Sequence, residues 1–257
     1  MRASWAGLAV ALLALPVTGS TQPTLRPDQV EFRALYEELV ETNTTLSVGS
    51  CTEAAAKMGA RMKAAGFTDA ELTYFGVSEF PKEGGLVAIL KGSDPKARPI
   101  LLLGHLDVVE ARREDWVRDP FTLIEEGGYF YARGVLDMKA MDAIWVDTLI
   151  RLKKGGKPPK RTLKMALTCG EETAEAFNGA DWLVKNRPDL VEAEFALTEG
   201  GGGRVTPDNH REVVNLQVGE KAAQNFILEV TNPGGHSSRP VPENAIYRLT
   251  DALQKIR

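Results

Sequence analysis

Apolar and polar positions alternate along this chain in two periods, and the switches between them mark the elements. Phe32, Leu35, Tyr36 and Leu39 share one face at helical spacing, which predicts a helix over 27–43. A second helix opens at Ser50. Ser50 and Glu53 form a capping-box pattern, and Gly66 supplies the stop. Met58, Met62 and Ala65 then face inward, as core rather than as a cofactor site. Short apolar runs follow at 71–76, 86–90 and 100–103. The run Ile100-Leu101-Leu102-Leu103 is continuous, as expected of a strand covered on both faces. A helix over 138–153, a strand over 163–168, a helix near 179–186 and a strand over 195–198 complete the series.

Strands alternating with helices predict an α/β fold, a mostly parallel mixed sheet flanked by helices. The pattern changes after Gly219. A strand over 225–231, the loop NPGGHSS and an amphipathic helix over 245–256 read as the start of an inserted α+β lid. The predicted organisation is a leader over 1–20, a catalytic domain over 21–218 and a partial lid over 219–257. One strand and one helix cannot bury a core alone. The lysine-bearing loop KKGGKPPK at 153–160 reads as a solvated connection.

The leader is predicted from Arg2, the apolar run from Trp5 to Leu15, Pro16 and the small residues after it. Cleavage is expected after Gly19 or Ser20, giving a secreted or periplasmic protein without a stable membrane span. An uncleaved anchor ranks second, and no cysteine follows the run to carry a lipid.

Composition adds mainly exclusions. The 257 residues carry 31 basic and 35 acidic side chains, a net charge of −4, with no concentrated basic stretch, so a nucleic-acid partner is not expected. Two cysteines, Cys51 and Cys169, are too few for a disulfide scaffold. An oxidising compartment would permit a bridge between them, but their spacing demands none, and Cys169 reads as a buried strand-end thiol.

The candidate chemistry gathers at the C-terminal ends of the apolar strands, where open α/β sheets place their sites. His105 and Asp107 follow ILLL; a histidine satisfied by a neighbouring carboxylate is the plain reading, a metal-binding imidazole oriented by Asp107 the functional one. Asp137 stands at a loop-to-helix junction, where it would cap a helix or ligate metal. Glu171 and Glu172 follow a strand, Cys169 and Gly170, an odd place for surface charge. Glu199 ends the last strand and leads into four glycines. Each alone favours its plain reading. Four successive strand ends bearing such groups favour a carboxylate-rich site for zinc, cobalt or manganese.

Together these segments resemble the dizinc metallopeptidase family of aminoacylases, glutamate carboxypeptidases and succinyl-diaminopimelate desuccinylases. The resemblance is carried by GHLDVVE at 104–110, Trp116, Asp119-Pro120-Phe121, RGVLDMK at 133–139, GEE at 170–172, EGGGG at 199–203 and GGHSS at 234–238, in the family's order. It implies two divalent ions. His105 and Glu199 would bind the first, Glu172 the second, and Asp137 would bridge them, with Asp107 orienting His105. Glu171 would be the general base, and His236 of the lid would bind substrate and stabilise the oxyanion. The implied reaction is hydrolysis of a peptide or N-acyl amide next to a free carboxylate, and the full-length protein would be a homodimer.

Ala132, Ala140-Met141 and Ala174-Glu175 depart from the family's usual residues, which bears on substrate shape more than on metal. The family's last histidine ligand lies beyond the lid, and no histidine follows His236 here. His210, in a polar loop ahead of an expected strand at 213–218, is a poor substitute. The sequence therefore reads as part of a longer enzyme. A non-catalytic or degenerate metal-binding homologue is the alternative, and a dimetal phosphoesterase a weaker third.

Overall fold

The computed structural model describes residues 25–173, 176–208, 210–219, 221–222, 224–236, 238–239 and 241–256. The expected leader falls outside them, as do Ala174 and Glu175. Among the described residues no helix is long and apolar enough to cross a membrane. The chain divides into two compact units after Glu199.

The first unit opens with α1 (Pro27–Glu41), which buries Leu35, Tyr36, Leu39 and Val40, with Phe32 half-buried against the same core. The next helix, α2 (Cys51–Ala64), is capped by the Ser50 side chain, which accepts from the Glu53 amide. Its C-terminus closes as the sequence predicts: Gly66 takes a φ of +99°, and the Phe67 amide returns to the Met62 carbonyl. Met58 and Met62 are fully buried.

Strands β1 (Leu72–Phe75), β2 (Gly85–Leu90), β3 (Ile100–His105), β6 (Leu163–Thr168) and β7 (Phe195–Leu197) form one sheet in the order β1-β2-β6-β3-β7. The β1–β2 and β2–β6 pairs are antiparallel, while β6–β3 and β3–β7 are parallel. A small hairpin of β4 (Ile124–Glu126) and β5 (Tyr129–Tyr131) lies outside that sheet. Both sheet faces are covered, which explains the continuous apolar runs. Leu86, Ala88, Leu102, Met165 and Leu167 point to the core shared with α1, α2 and α3 (Lys139–Lys154). Val87, Leu101 and Ala166 point the other way, with Leu183 of α4 (Gly179–Asn186) and Leu190 of α5 (Pro188–Val191). Fully burying each such leucine or valine contributes about 1.5–3 kcal/mol, so the sheet that carries the site is anchored from both faces.

The second unit contains the hairpin β8 (Gly202–Val205) and β9 (Arg211–Asn215), and the helix α6 (Ala245–Ile256). The strand expected over 225–231 does not form; among the described residues no ladder partner pairs with that run. A β-branched run is only a strand when another strand pairs with it. The strand expected over 213–218 ends at Asn215.

Candidate metal centre

Register sets the site. In the parallel ladder His105 pairs with Thr168, so β3 and β6 end in step and release their loops side by side. Leu102 pairs with Leu197, which brings Glu199 alongside the same sheet edge. The segment after β3 is fixed from the opposite side, where Thr44 Oγ1 donates to the Leu106 carbonyl at 2.6 Å. Tyr36 Oη donates to the Val135 carbonyl at 2.6 Å and ties α1 to the loop carrying Asp137. Asp137 does not cap α3. The cap position is Met138, with no side-chain cap, and the Asp137–Met138 peptide is cis.

His105 is only 3% exposed and is the hub. Its Nε2 lies 3.2 Å from Asp137 Oδ1, 3.6 Å from Glu199 Oε1 and 3.9 Å from Glu171 Oε2. Its Nδ1 lies 3.0 Å from the Asp107 carbonyl and 3.6 Å from Asp107 Oδ1. Nδ1 therefore donates toward Asp107, by backbone more closely than by side chain, and Nε2 is left to face the carboxylates. Ligand atoms of His105, Asp137 and Glu199 fall within 4.8 Å of one another. Glu171 stands at the rim of this set. The Glu172 carboxylate is outside the three-residue set, while its amide donates to Asp107 Oδ2 at 2.8 Å. A cleft of about 80 Å³ opens between His105, Thr168, Glu171, Asn178 and Glu199.

The charged groups around His105 shift one another. Burial alone would lower the His105 imidazole, but the hydrogen bond and charge of Asp107, with Asp142 and Glu199, carry it up to about 10. Burial pushes Asp107 up, yet His105 and the amides of Glu172 and Glu171 hold it below the ordinary carboxylate range. Glu172 is raised by burial and by the charges of Asp137 and Glu171. Glu199 is raised by burial and by Asp137 and Glu171, against the pull of His105. The carboxylates that crowd this imidazole repel one another, and the protonated His105 offsets part of that repulsion. The donor set of imidazole and carboxylates, with no thiolate, fits zinc or a harder divalent ion.

Cys169 is not a thiol. It is bonded to Cys51, the first residue of α2, across a Cα–Cα distance of 6.1 Å. The sequence shows two cysteines 118 residues apart; only the packing of α2 against the end of β6 brings them within bridging distance.

Two further groups escaped the sequence reading. Lys139 and Asp142 are both fully buried beneath the site. Lys139 Nζ donates to the Thr42 carbonyl at 2.7 Å, and burial lowers its ammonium to about 7. Asp142 has no hydrogen-bond partner on either oxygen, and burial raises its carboxyl well above the ordinary range. Both sit on the apolar stripe of α3 with Ala143, Val146 and Ile150, a helical spacing that could have flagged them.

His236 and His210 belong to the second unit. The Ser238 amide donates to His236 Nδ1 at 3.2 Å, so the neutral imidazole carries its proton on Nε2. His210 closes the β8–β9 turn through its backbone, with its carbonyl accepting from the Thr206 amide.

With this geometry established, comparison with known proteins decides the kinship. The sequence profile of "Peptidase family M20/M25/M40" matches residues 101–256. The chain belongs to that family. Its match to human N-fatty-acyl-amino acid synthase/hydrolase PM20D1 is 30% identical over 220 residues, 84% of this chain and 43% of that protein. Rat aminoacylase-1A is 32% identical over 168 residues, 64% of this chain and 39% of that protein. Among solved structures, an M20 metallo-carboxypeptidase from Sulfolobus solfataricus superposes with a TM-score of 0.56 at 19% identity, covering 72% of this chain and 39% of that one. Human carnosine dipeptidase 1 gives 0.53 at 22% identity, covering 69% and 41%. These two likenesses establish the shared sheet-and-helix architecture. The chain spans about 34–43% of the length of the curated M20 relatives it matches.

Proposed function

We propose that the whole protein is a metal-dependent hydrolase that cleaves a peptide or N-acyl amide bond adjacent to a free carboxylate. The observation that carries this reading is the convergence of His105 Nε2 with oxygens of Asp137, Glu199 and Glu171, all within 3.9 Å, at the C-terminal edge of the parallel strands. Family membership and the relatives' names, a hydrolase of N-acyl amino acids and an aminoacylase, support the substrate class.

His105 and Glu199 would hold one divalent ion, Glu172 a second, and Asp137 both. Zinc is the metal the donors suit best, with cobalt and manganese as alternatives. A bound pair of such ions polarises the amide carbonyl and makes attacking water more acidic. Asp107 keeps the His105 tautomer, accepting from Nδ1 so that Nε2 presents its lone pair. Glu171 takes the proton of the attacking water on its carboxylate and returns it to the departing amine nitrogen. Glu171 Oε2 stands 3.9 Å from His105 Nε2, beside the His105–Asp137–Glu199 set. His236 is the proposed oxyanion donor through Nε2–H.

We also propose a homodimer for the whole protein and a location outside the reducing cytoplasm. The leader pattern and the Cys51–Cys169 bridge support the location. The deciding experiment is a panel of dipeptides and N-acyl amino acids, each with its carboxyl-blocked counterpart, offered to the zinc-loaded whole protein. Turnover of the free acids and not of the blocked forms is expected. Turnover of phosphate esters with no amide cleavage contradicts the reading.

A further inference from the structure

The Cys51–Cys169 bridge lies under the site. Cys169 is the residue after β6 and stands two before Glu171, and both cysteines are 1% exposed. Both sulfurs and an Asp107 carboxylate oxygen lie within 4.8 Å of one another. Apart from the bridge, the loop from Cys169 to Thr173 has no other covalent tie to α2 or to the Asp107 segment. Its ties among the described residues include the Gly179 amide to the Cys169 carbonyl at 2.7 Å, Asn178 Nδ2 to the Gly170 carbonyl at 3.3 Å, the Ala176 amide to the Thr173 carbonyl at 3.0 Å, and the Glu171 and Glu172 amides to Asp107, while Glu83 Oε2 lies 3.1 Å from Cys169 Sγ.

The other end of the bridge is firmly set. The Ser50 amide donates to the Asn43 carbonyl at 2.9 Å, and the Thr52 amide to the Lys82 carbonyl at 3.0 Å. Thr52 Oγ1 donates to the Pro81 carbonyl at 2.8 Å, and Ala54 and Met58, next along α2, are fully buried.

We propose that the Cys51–Cys169 disulfide is a positioning element for the proposed metal centre, fixing the Glu171–Glu172 loop and the Asp107 carboxylate against α2. This rests on the metal-site reading of the preceding subsection. Two effects follow from the chemistry. The covalent tie removes freedom that hydrogen bonds alone leave to a loop. The bridge also has no S–H, so Asp107 Oδ1, which lacks a hydrogen-bond partner, keeps its direction toward His105 Nδ1. Two thiols in the same place would offer that oxygen competing donors.

The test compares the whole protein with its Cys51→Ala/Cys169→Ala variant. Alanines are used because freed thiolates beside Asp107 would themselves take up added zinc. Amide hydrogen exchange of the metal-free proteins reads the loop independently of any metal. Exchange at 170–173 should quicken at least tenfold in the variant, while Val146–Ile150 of α3 stay unchanged. Zinc titration should then show affinity at least tenfold weaker. A loop with unchanged exchange overturns the proposal, and so does a variant that melts earlier yet binds zinc within twofold of the parent.

If the variant does not fold, the exchange arm is run on the parent with dithiothreitol. That dithiol closes to its cyclic disulfide and delivers two electrons and two protons to the sulfurs. Quickened exchange supports the positioning role and unchanged exchange overturns it. If the bridged parent takes up no zinc, the metal-site reading fails, and the exchange result alone decides whether the bridge holds the loop.

Discussion

A methyl group added at Gly104 tests how tightly the floor of the site is packed. A Cβ there would lie 2.0 Å from Asp142 Oδ1 and 3.1 Å from Trp145 Cζ3, where ordinary contact begins at 3.4 Å. The carboxylate would have to retreat by more than about 1 Å, and it is fully buried with dense core around it. Overpacking of this kind costs about 1–3 kcal/mol. At roughly 2–4 °C per kcal/mol for a unit of this size, the melting temperature of Gly104→Ala should fall by several degrees. His105 is the next residue, so zinc affinity should fall with it. The clash has one identified partner. Asp142→Ala removes it, and the Gly104→Ala/Asp142→Ala pair should regain at least about 1 kcal/mol relative to additivity in a double-mutant cycle read by denaturant melts. A neutral Gly104→Ala, or a pair that shows no rescue, would refute this account of the packing.

Other expectations concern the site itself. Glu171→Gln in the whole protein should retain zinc while kcat falls by about 10²–10⁴-fold, as loss of a general base requires; near-normal turnover would remove Glu171 from that role. Asp107→Asn should weaken zinc binding by about 10–100-fold, measured by competition with a chelating dye. In the metal-free protein His105 titrates near 10, so zinc must displace its proton at neutral pH. Affinity should rise with pH between about 7 and 10, and calorimetry in buffers of different ionisation enthalpy should detect proton release; a pH-independent affinity would count against the assignment. The same raised value stabilises the metal-free fold fully below the unfolded histidine value of about 6.5. That stability is lost as pH rises through 10, so chemical-denaturation midpoints of the metal-free His105→Gln variant should lack this alkaline decline.

The parts of the fold readable in advance are those whose signal is local. Ile100–Leu103 reads as a strand covered on both faces because Leu101 and Leu102 bury into opposite cores. Ser50 and Gly66 mark the ends of α2 through hydrogen bonds made within a few residues. The strand-end positions of His105, Glu171 and Glu199 follow from the same runs, and the parallel register then brings them together. What escaped depends on contacts between distant segments. The Cys51–Cys169 bridge needs α2 seated against β6. Asp142 lies on the buried stripe of α3, but only the fold shows that its oxygens find no hydrogen-bond partner while Gly104 crowds one of them. The run at 225–231 has strand composition, but composition does not supply a pairing partner.

The central claim is that His105, Asp137, Glu172 and Glu199 hold a pair of divalent ions while Glu171 stays outside the coordination shell. Anomalous diffraction at the zinc edge from crystals of the zinc-loaded whole protein tests it most directly. Two peaks are expected, the first bonded to His105 Nε2 and Glu199, the second to Glu172, with Asp137 shared and Glu171 bonded to neither. Zinc bound away from His105, or held by Glu171 in place of Glu199, would contradict it.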